Sequence, residues 1–89
     1  MNNFLNIIFT SVDYIITDID QYIGATGSNI TITLPTGIFG RFYQIKNQSP
    51  GDIQVQGTGG ETIEGSVFKI LKTNAGFTVV FDGTTWKIL

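Results

Sequence analysis

Phe81-Asp82-Gly83-Thr84-Thr85-Trp86-Lys87-Ile88-Leu89 closes a run of short strands and glycine turns that begins at Gly40 and fills the last fifty residues of this 89-residue chain. Asp-Gly between alternating apolar residues signals a β-hairpin, because glycine accepts the positive φ that tight turns require. With Asp82 and Gly83 as a two-residue turn, Val79 is expected opposite Trp86 and Phe77 opposite Ile88. All four then share one face, while Thr78 and Lys87 share the other.

Working outward, the same alternation recurs. Phe42 to Asn47 and Ile53 to Gln56 read as strands around the turn Gln48-Ser49-Pro50-Gly51-Asp52. An odd loop or a bulge is expected between them, since an odd loop of five residues puts Asn47 opposite Ile53 and Ile45 opposite Val55. Gly57 to Gly60 is a turn, Glu61 to Glu64 a short strand, Val67 to Lys72 another, and Thr73 to Gly76 a further turn. Phe68 and Ile70 fall on one face of Val67–Lys72; Val67, Lys69 and Leu71 fall on the other. Upstream, Asn29 to Leu34 alternates strictly, with Ile30, Ile32 and Leu34 on one face. Pro35 ends its ladder, and Thr36 to Gly40 is a loop that exposes Ile38 and Phe39. Asp13 to Thr17 and Gln21 to Ala25 read as two strands joined by Asp18-Ile19-Asp20. No stretch of helical length carries a 3.6-residue apolar period. The expectation is an all-β chain, a small antiparallel β-sandwich or barrel of about eight short strands. Residues 13–89 form one domain, and residues 1–12 are an amino-terminal arm or an extra strand.

Composition narrows the function. There is no cysteine and no histidine, which removes disulfides, thiolate sites, the commonest metal ligand and the commonest general base. Charged residues are 13%, against about 25% in ordinary soluble domains. Hydrophobic residues reach 42%, with seven phenylalanines. So small a chain has much surface and few polar groups to cover it, so other copies or a larger assembly are expected to cover part of it. The five basic residues are scattered and the net charge is −2, so nucleic-acid binding is not expected. The apolar run Phe4-Leu5-Asn6-Ile7-Ile8-Phe9 is too short to span a membrane and lacks the pattern of a signal peptide.

Other motifs are weak. Gly57-Thr58-Gly59-Gly60 precedes a strand rather than a helix and is read as a turn, not a phosphate loop. Asp13, Asp18 and Asp20 match no calcium-loop spacing and are read as turn carboxylates. Glu61 and Glu64 lie three residues apart on an expected strand, so they face opposite sides and do not make a glycosidase pair. Trp86 is read as core because its expected partners are apolar. No cofactor, metal or enzymatic activity is expected.

The series Arg41-Phe42-Tyr43-Gln44-Ile45-Lys46-Asn47, Gly60-Glu61-Thr62-Ile63-Glu64-Gly65 and Asp82-Gly83-Thr84-Thr85-Trp86, with Leu34-Pro35 before it, resembles a small β module of bacteriophage and other viral structural proteins. The resemblance spans about residues 13 to 89. Glu64 stands where that family more often has Asp, and Lys87 where an aromatic is common. The resemblance implies a virion structural protein of the head-decoration or tail-fibre type, made in the host cytoplasm and located in the virion. Combined with the low charge, it leads to an expected homotrimer that also contacts other virion proteins of the capsid or tail. Ile38, Phe39, Val67 and Leu71 are the expected subunit contacts, and Phe4, Leu5, Ile7, Ile8 and Phe9 the expected anchoring arm. The alternative is a receptor- or glycan-binding module at a fibre or spike tip, with Tyr14 and Tyr22 as its ligand patch.

Overall fold

A computed structural model describes residues 5–89 of the chain. The all-β expectation holds: among the described residues, nine strands form two sheets and there is no helix. The strands are β1 (Ile7–Thr10), β2 (Tyr14–Ile15), β3 (Tyr22–Ala25), β4 (Thr31–Thr33), β5 (Phe42–Asn47), β6 (Ile53–Gln56), β7 (Phe68–Leu71), β8 (Gly76–Phe81) and β9 (Trp86–Ile88). Sheet A has the order β1-β3-β5-β8-β9, and sheet B the order β2-β4-β6-β7.

The pairing corrects the antiparallel expectation. Through β6 the chain alternates between the sheets, so β1, β3 and β5 stack in parallel, as do β2, β4 and β6. Each pair of strands is one coil, and three coils stack. Beyond β6 the direction reverses: β7 returns antiparallel on β6, β8 on β5 and β9 on β8. Side-chain alternation is the same in either kind of ladder, so face parity was read correctly although the partner strands were not.

The expected β5–β6 hairpin shows this. The two strands belong to different sheets, and Gln48 to Asp52 is a corner. Asn47 holds it from a fully buried position. Its Nδ2 donates to the carbonyls of Gly51 (2.7 Å) and Leu71 (2.8 Å), and its Oδ1 accepts from the Ser49 N–H (2.9 Å) and Oγ (2.7 Å). Ile45, Ile53 and Val55 still share one core, reached from opposite sheets. The terminal hairpin forms with a different register: Val79 faces Ile88 and Phe81 faces Trp86. Asp82 closes a four-residue loop by accepting from the N–H groups of Thr84 and Thr85, both at 2.9 Å, and Gly83 takes φ +100°. A slip by two preserves the face, so Trp86 remains in the core as expected. Glu61 to Glu64 is not a strand; only Ile63 makes isolated bridges there, to Ser66 and Trp86.

The core lies between the sheets. Ile30, Ile32 and Leu34 all point into it, each contributing about 1.5–3 kcal/mol by leaving water. Trp86 is fully buried, with its ring centroid 5.2 Å from Phe81 and 5.9 Å from Tyr43. Of residues 1–12, Ile7–Thr10 form the edge strand of sheet A and Ile8 packs against the core, so this stretch belongs to the sandwich. Removing residues 2 to 9 would therefore remove most of a sheet strand.

Candidate assembly surface

The expected contact residues separate into several places. Ile38 and Phe39 sit in a loop pinned by Gly40 N–H donating to Phe81 O (2.8 Å) and Arg41 N–H to Ile38 O (2.9 Å). Phe39 is 80% exposed. Val67 is exposed just ahead of β7. Leu71 is not available: it faces Ile53 across β6–β7 and is only 6% exposed. Its strand alternates, so Leu71 turns inward while Phe68 and Ile70 turn out, each 45% exposed. The parity of Val67–Lys72 already separated these two faces, but it could not say which one the sandwich covers.

Phe68 and Ile70 complete the outer face of sheet B. Two cross-strand rows make up this face: Ile15, Thr33, Gln56 and Phe68, and beside them Thr31, Gln54 and Ile70. Gln54 Nε2 donates to Gln56 Oε1 (3.2 Å), and Gln56 Nε2 to Thr33 Oγ1 (3.4 Å), which ties the amides to the surface. No charged residue stands in either row. Threonine and glutamine separate an apolar edge at Ile15 from another at Phe68 and Ile70.

Among the expected arm residues, Phe4 lies outside the described residues. Leu5, Ile7 and Phe9 are exposed, whereas Ile8 turns inward and is not free to anchor. Phe9 lies over Gly24 on the neighbouring strand.

Tyr14 and Tyr22 belong to different sheets and are both half-buried. The Tyr14 hydroxyl donates to Asp20 Oδ2 at 2.7 Å. Burial, then that bond and the Asp20 charge, push its phenol up to about 12. Tyr22 instead borders a shallow depression on the outer face of sheet A, together with Gln44, Lys46, Gly76 and Thr78.

The acidic residues are largely committed to the backbone. Asp13 accepts from Thr31 N–H (2.8 Å) and Asp20 from Thr17 N–H (2.9 Å). Glu61 accepts from Gly37 N–H (2.9 Å) and Trp86 Nε1 (3.4 Å), and Glu64 from Ile88 N–H (3.0 Å). These carboxylates supply acceptors to strand and loop N–H groups and to the Trp86 ring. Among the described residues, no three acidic side chains gather where they could hold a metal ion.

No protein-family model matches the chain, no curated protein is significantly similar to it, and no solved structure matches it.

Proposed function

We propose that this protein is a structural component of a virion, associated with a head or a tail fibre, which self-associates by packing uncharged sheet faces. The observation that carries self-association is the outer face of sheet B. An ordinary solvated sheet face alternates apolar-in with polar and charged side chains out; this one turns out Ile15, Phe68 and Ile70 among threonines and glutamines, with no charge in its two rows. Burying Ile15, Phe68 and Ile70 removes apolar area from water, while Asp13, on the Thr31 N–H, and the Asp52–Lys72 ion pair stand at the margin of the two rows. The virion setting comes from the order of the motifs in Arg41–Asn47, Gly60–Gly65 and Asp82–Trp86. Three copies about a threefold axis form the simplest assembly of the kind expected from sequence.

The test is native mass by light scattering after size exclusion, for the wild type and for Ile70→Lys. The proposal expects three copies, or a multiple of three, reduced by Ile70→Lys with the Trp86 emission unchanged. A wild-type chain that stays monomeric at every concentration would remove the self-association reading.

The depression beside Tyr22 favours a second reading, a glycan-binding surface. One aromatic ring, an amide, an ammonium and a hydroxyl converge there, a set that can stack on a sugar face and bond its hydroxyls. Saturation-transfer NMR against neutral and acidic oligosaccharides checks it; signal that survives Tyr22→Ala would count against this site.

A further inference from the structure

The two ends of the stack of coils differ. At the β9 end, the outer edge of sheet A is covered. Ile63 bridges Trp86, Glu64 N–H donates to Trp86 O (2.8 Å), Trp86 N–H to Thr62 O (2.9 Å), and the Glu64 carboxylate accepts from Ile88 N–H (3.0 Å). The edge strands there also carry charge, Lys87 on β9 and Lys69 on β7. Covering an edge and charging it are the usual devices against unwanted strand pairing.

β1 itself has neither device, and the charges of the first coil, Asp13, Asp18 and Asp20, lie outside it on either side of β2. Tyr22 N–H donates to Asn6 O and Thr26 N–H to Thr10 O. The parallel register therefore turns the backbone groups of Asn6, Ile8 and Thr10 towards β3 and those of Ile7 and Phe9 outward. In β2, Ile16 N–H donates to Thr33 O, which leaves the Ile15 backbone facing outward. Among the described residues, nothing pairs with these outward groups. Asn6 to Thr10 contains no charge and no proline. Leu5, Ile7, Phe9, Val12, Ile15 and Ile19, all on this first coil, are exposed.

We infer that the open coil end is a docking edge for the same edge of a second copy, joined head to head about a twofold axis with β1 antiparallel to β1. Resting on the self-association reading, this adds a contact of different symmetry. Three observations select a second copy. The open end offers two strand edges at once, one in each sheet, and another open end offers the matching pair. The β1 strand has no charge, so it can lie against itself without opposing like charges. Head-to-tail stacking is blocked on sheet A by the Thr62–Glu64 cover. Leu5, Val12 and Ile19, exposed on the same coil, add apolar area at this end. A twofold axis at Ile8 sets Ile7 opposite Phe9 of the second copy and extends the core through Ile8.

The experiment measures mass by light scattering over a dilution series for the wild type, Ile7→Pro, Ile7→Lys and Thr84→Lys, with near-ultraviolet circular dichroism to monitor the fold. Ile7→Pro removes an outward donor but no β1–β3 bond; Ile7→Lys leaves the backbone intact, should the proline variant not fold. The wild type is expected to contain an even number of copies. Folded Ile7 variants should halve that mass, with association weakened at least about tenfold, while Thr84→Lys, in the exposed terminal hairpin loop, leaves it unchanged. An odd number of copies, or folded Ile7 variants of unchanged mass, would overturn the head-to-head edge and leave sheet-face association standing. A monomeric wild type would overturn both.

Discussion

The ring of Phe9, at the edge of sheet A, lies across Gly24 on the next strand: a Cβ added to Gly24 would stand 2.6 Å from Phe9 Cδ1 and 2.9 Å from Gln48 Oε1. The neighbour is a side chain that is itself exposed, so it can yield. One coil corner further on, Gly27 has no such freedom, because its added Cβ would strike the backbone carbonyl of Ser11 on the preceding coil. Gly24→Ala is expected to cost about 1 kcal/mol and to swing Phe9 aside. Gly27→Ala is expected to cost about 3 kcal/mol or more, since the two corners must separate. Urea denaturation of both variants gives the order; equal costs would contradict the direct stacking of coil corners.

Asn47 is the second structural pivot. Replacing it with Ala removes the bonds to the Leu71 carbonyl and the Ser49 N–H in a buried corner, while Ser49 Oγ can still donate to the Gly51 carbonyl (2.9 Å). The expected loss is about 2–4 kcal/mol. Asn47→Asp is expected to be destabilising as well, because its carboxylate cannot donate to the two carbonyls. A urea midpoint unchanged in Asn47→Ala would show that the corner holds without this side chain.

Asp82 predicts an acid-side effect. The Thr85 and then the Thr84 backbone N–H hold its carboxyl below the usual carboxylate range. A lowered folded-state pKa stabilises above the ordinary aspartate value, ~3.9, and that contribution is lost as pH falls through the lowered one. Asp82→Asn keeps an acceptor but does not titrate. Between pH 7 and about pH 2.5, the wild type is expected to lose more stability than Asp82→Asn, measured by urea midpoints at both values.

Tyr14 predicts the alkaline counterpart. Its phenol, pushed up to about 12 by burial and by Asp20, keeps its proton in the folded chain at a pH where an unfolded tyrosine, at ~10, begins to lose it. The resulting stability is complete below the ordinary value and is lost as pH rises through about 12. Phenolate absorbance should show, besides the buried Tyr43, whose pKa burial also raises, a late-titrating component of the wild type that is missing in Tyr14→Phe. If Tyr14→Phe retains that component, the Tyr14–Asp20 bond is not its source.

Much of the local structure was legible. The alternation at Ile30, Ile32 and Leu34, the strands Phe42–Asn47 and Ile53–Gln56, the burial of Trp86 and the exposure of Ile38 and Phe39 all follow from period-two patterning and turn chemistry. The candidate surface was legible only in part. Phe68 and Ile70 were placed on one face, but Leu71 rather than these two was expected outside. Residues 1–12 were expected to be an arm or an extra strand; Ile7 to Thr10 are the strand, and its place at the edge of sheet A came only from the tertiary structure.

Sequence by itself determined the all-β class, most strand positions and the face on which each side chain lies, because these depend on backbone geometry over a few residues. Only the tertiary structure decided which strands are neighbours. Gln48–Asp52 could have been a hairpin turn or a corner between sheets, and either leaves Ile45, Ile53 and Val55 buried. The choice rests on long-range bonds, Asn47 to the Leu71 carbonyl and Gln48 N–H to the Ala25 carbonyl among them. The same choice stacks the first six strands in parallel coils and so leaves β1 and β2 as the open end.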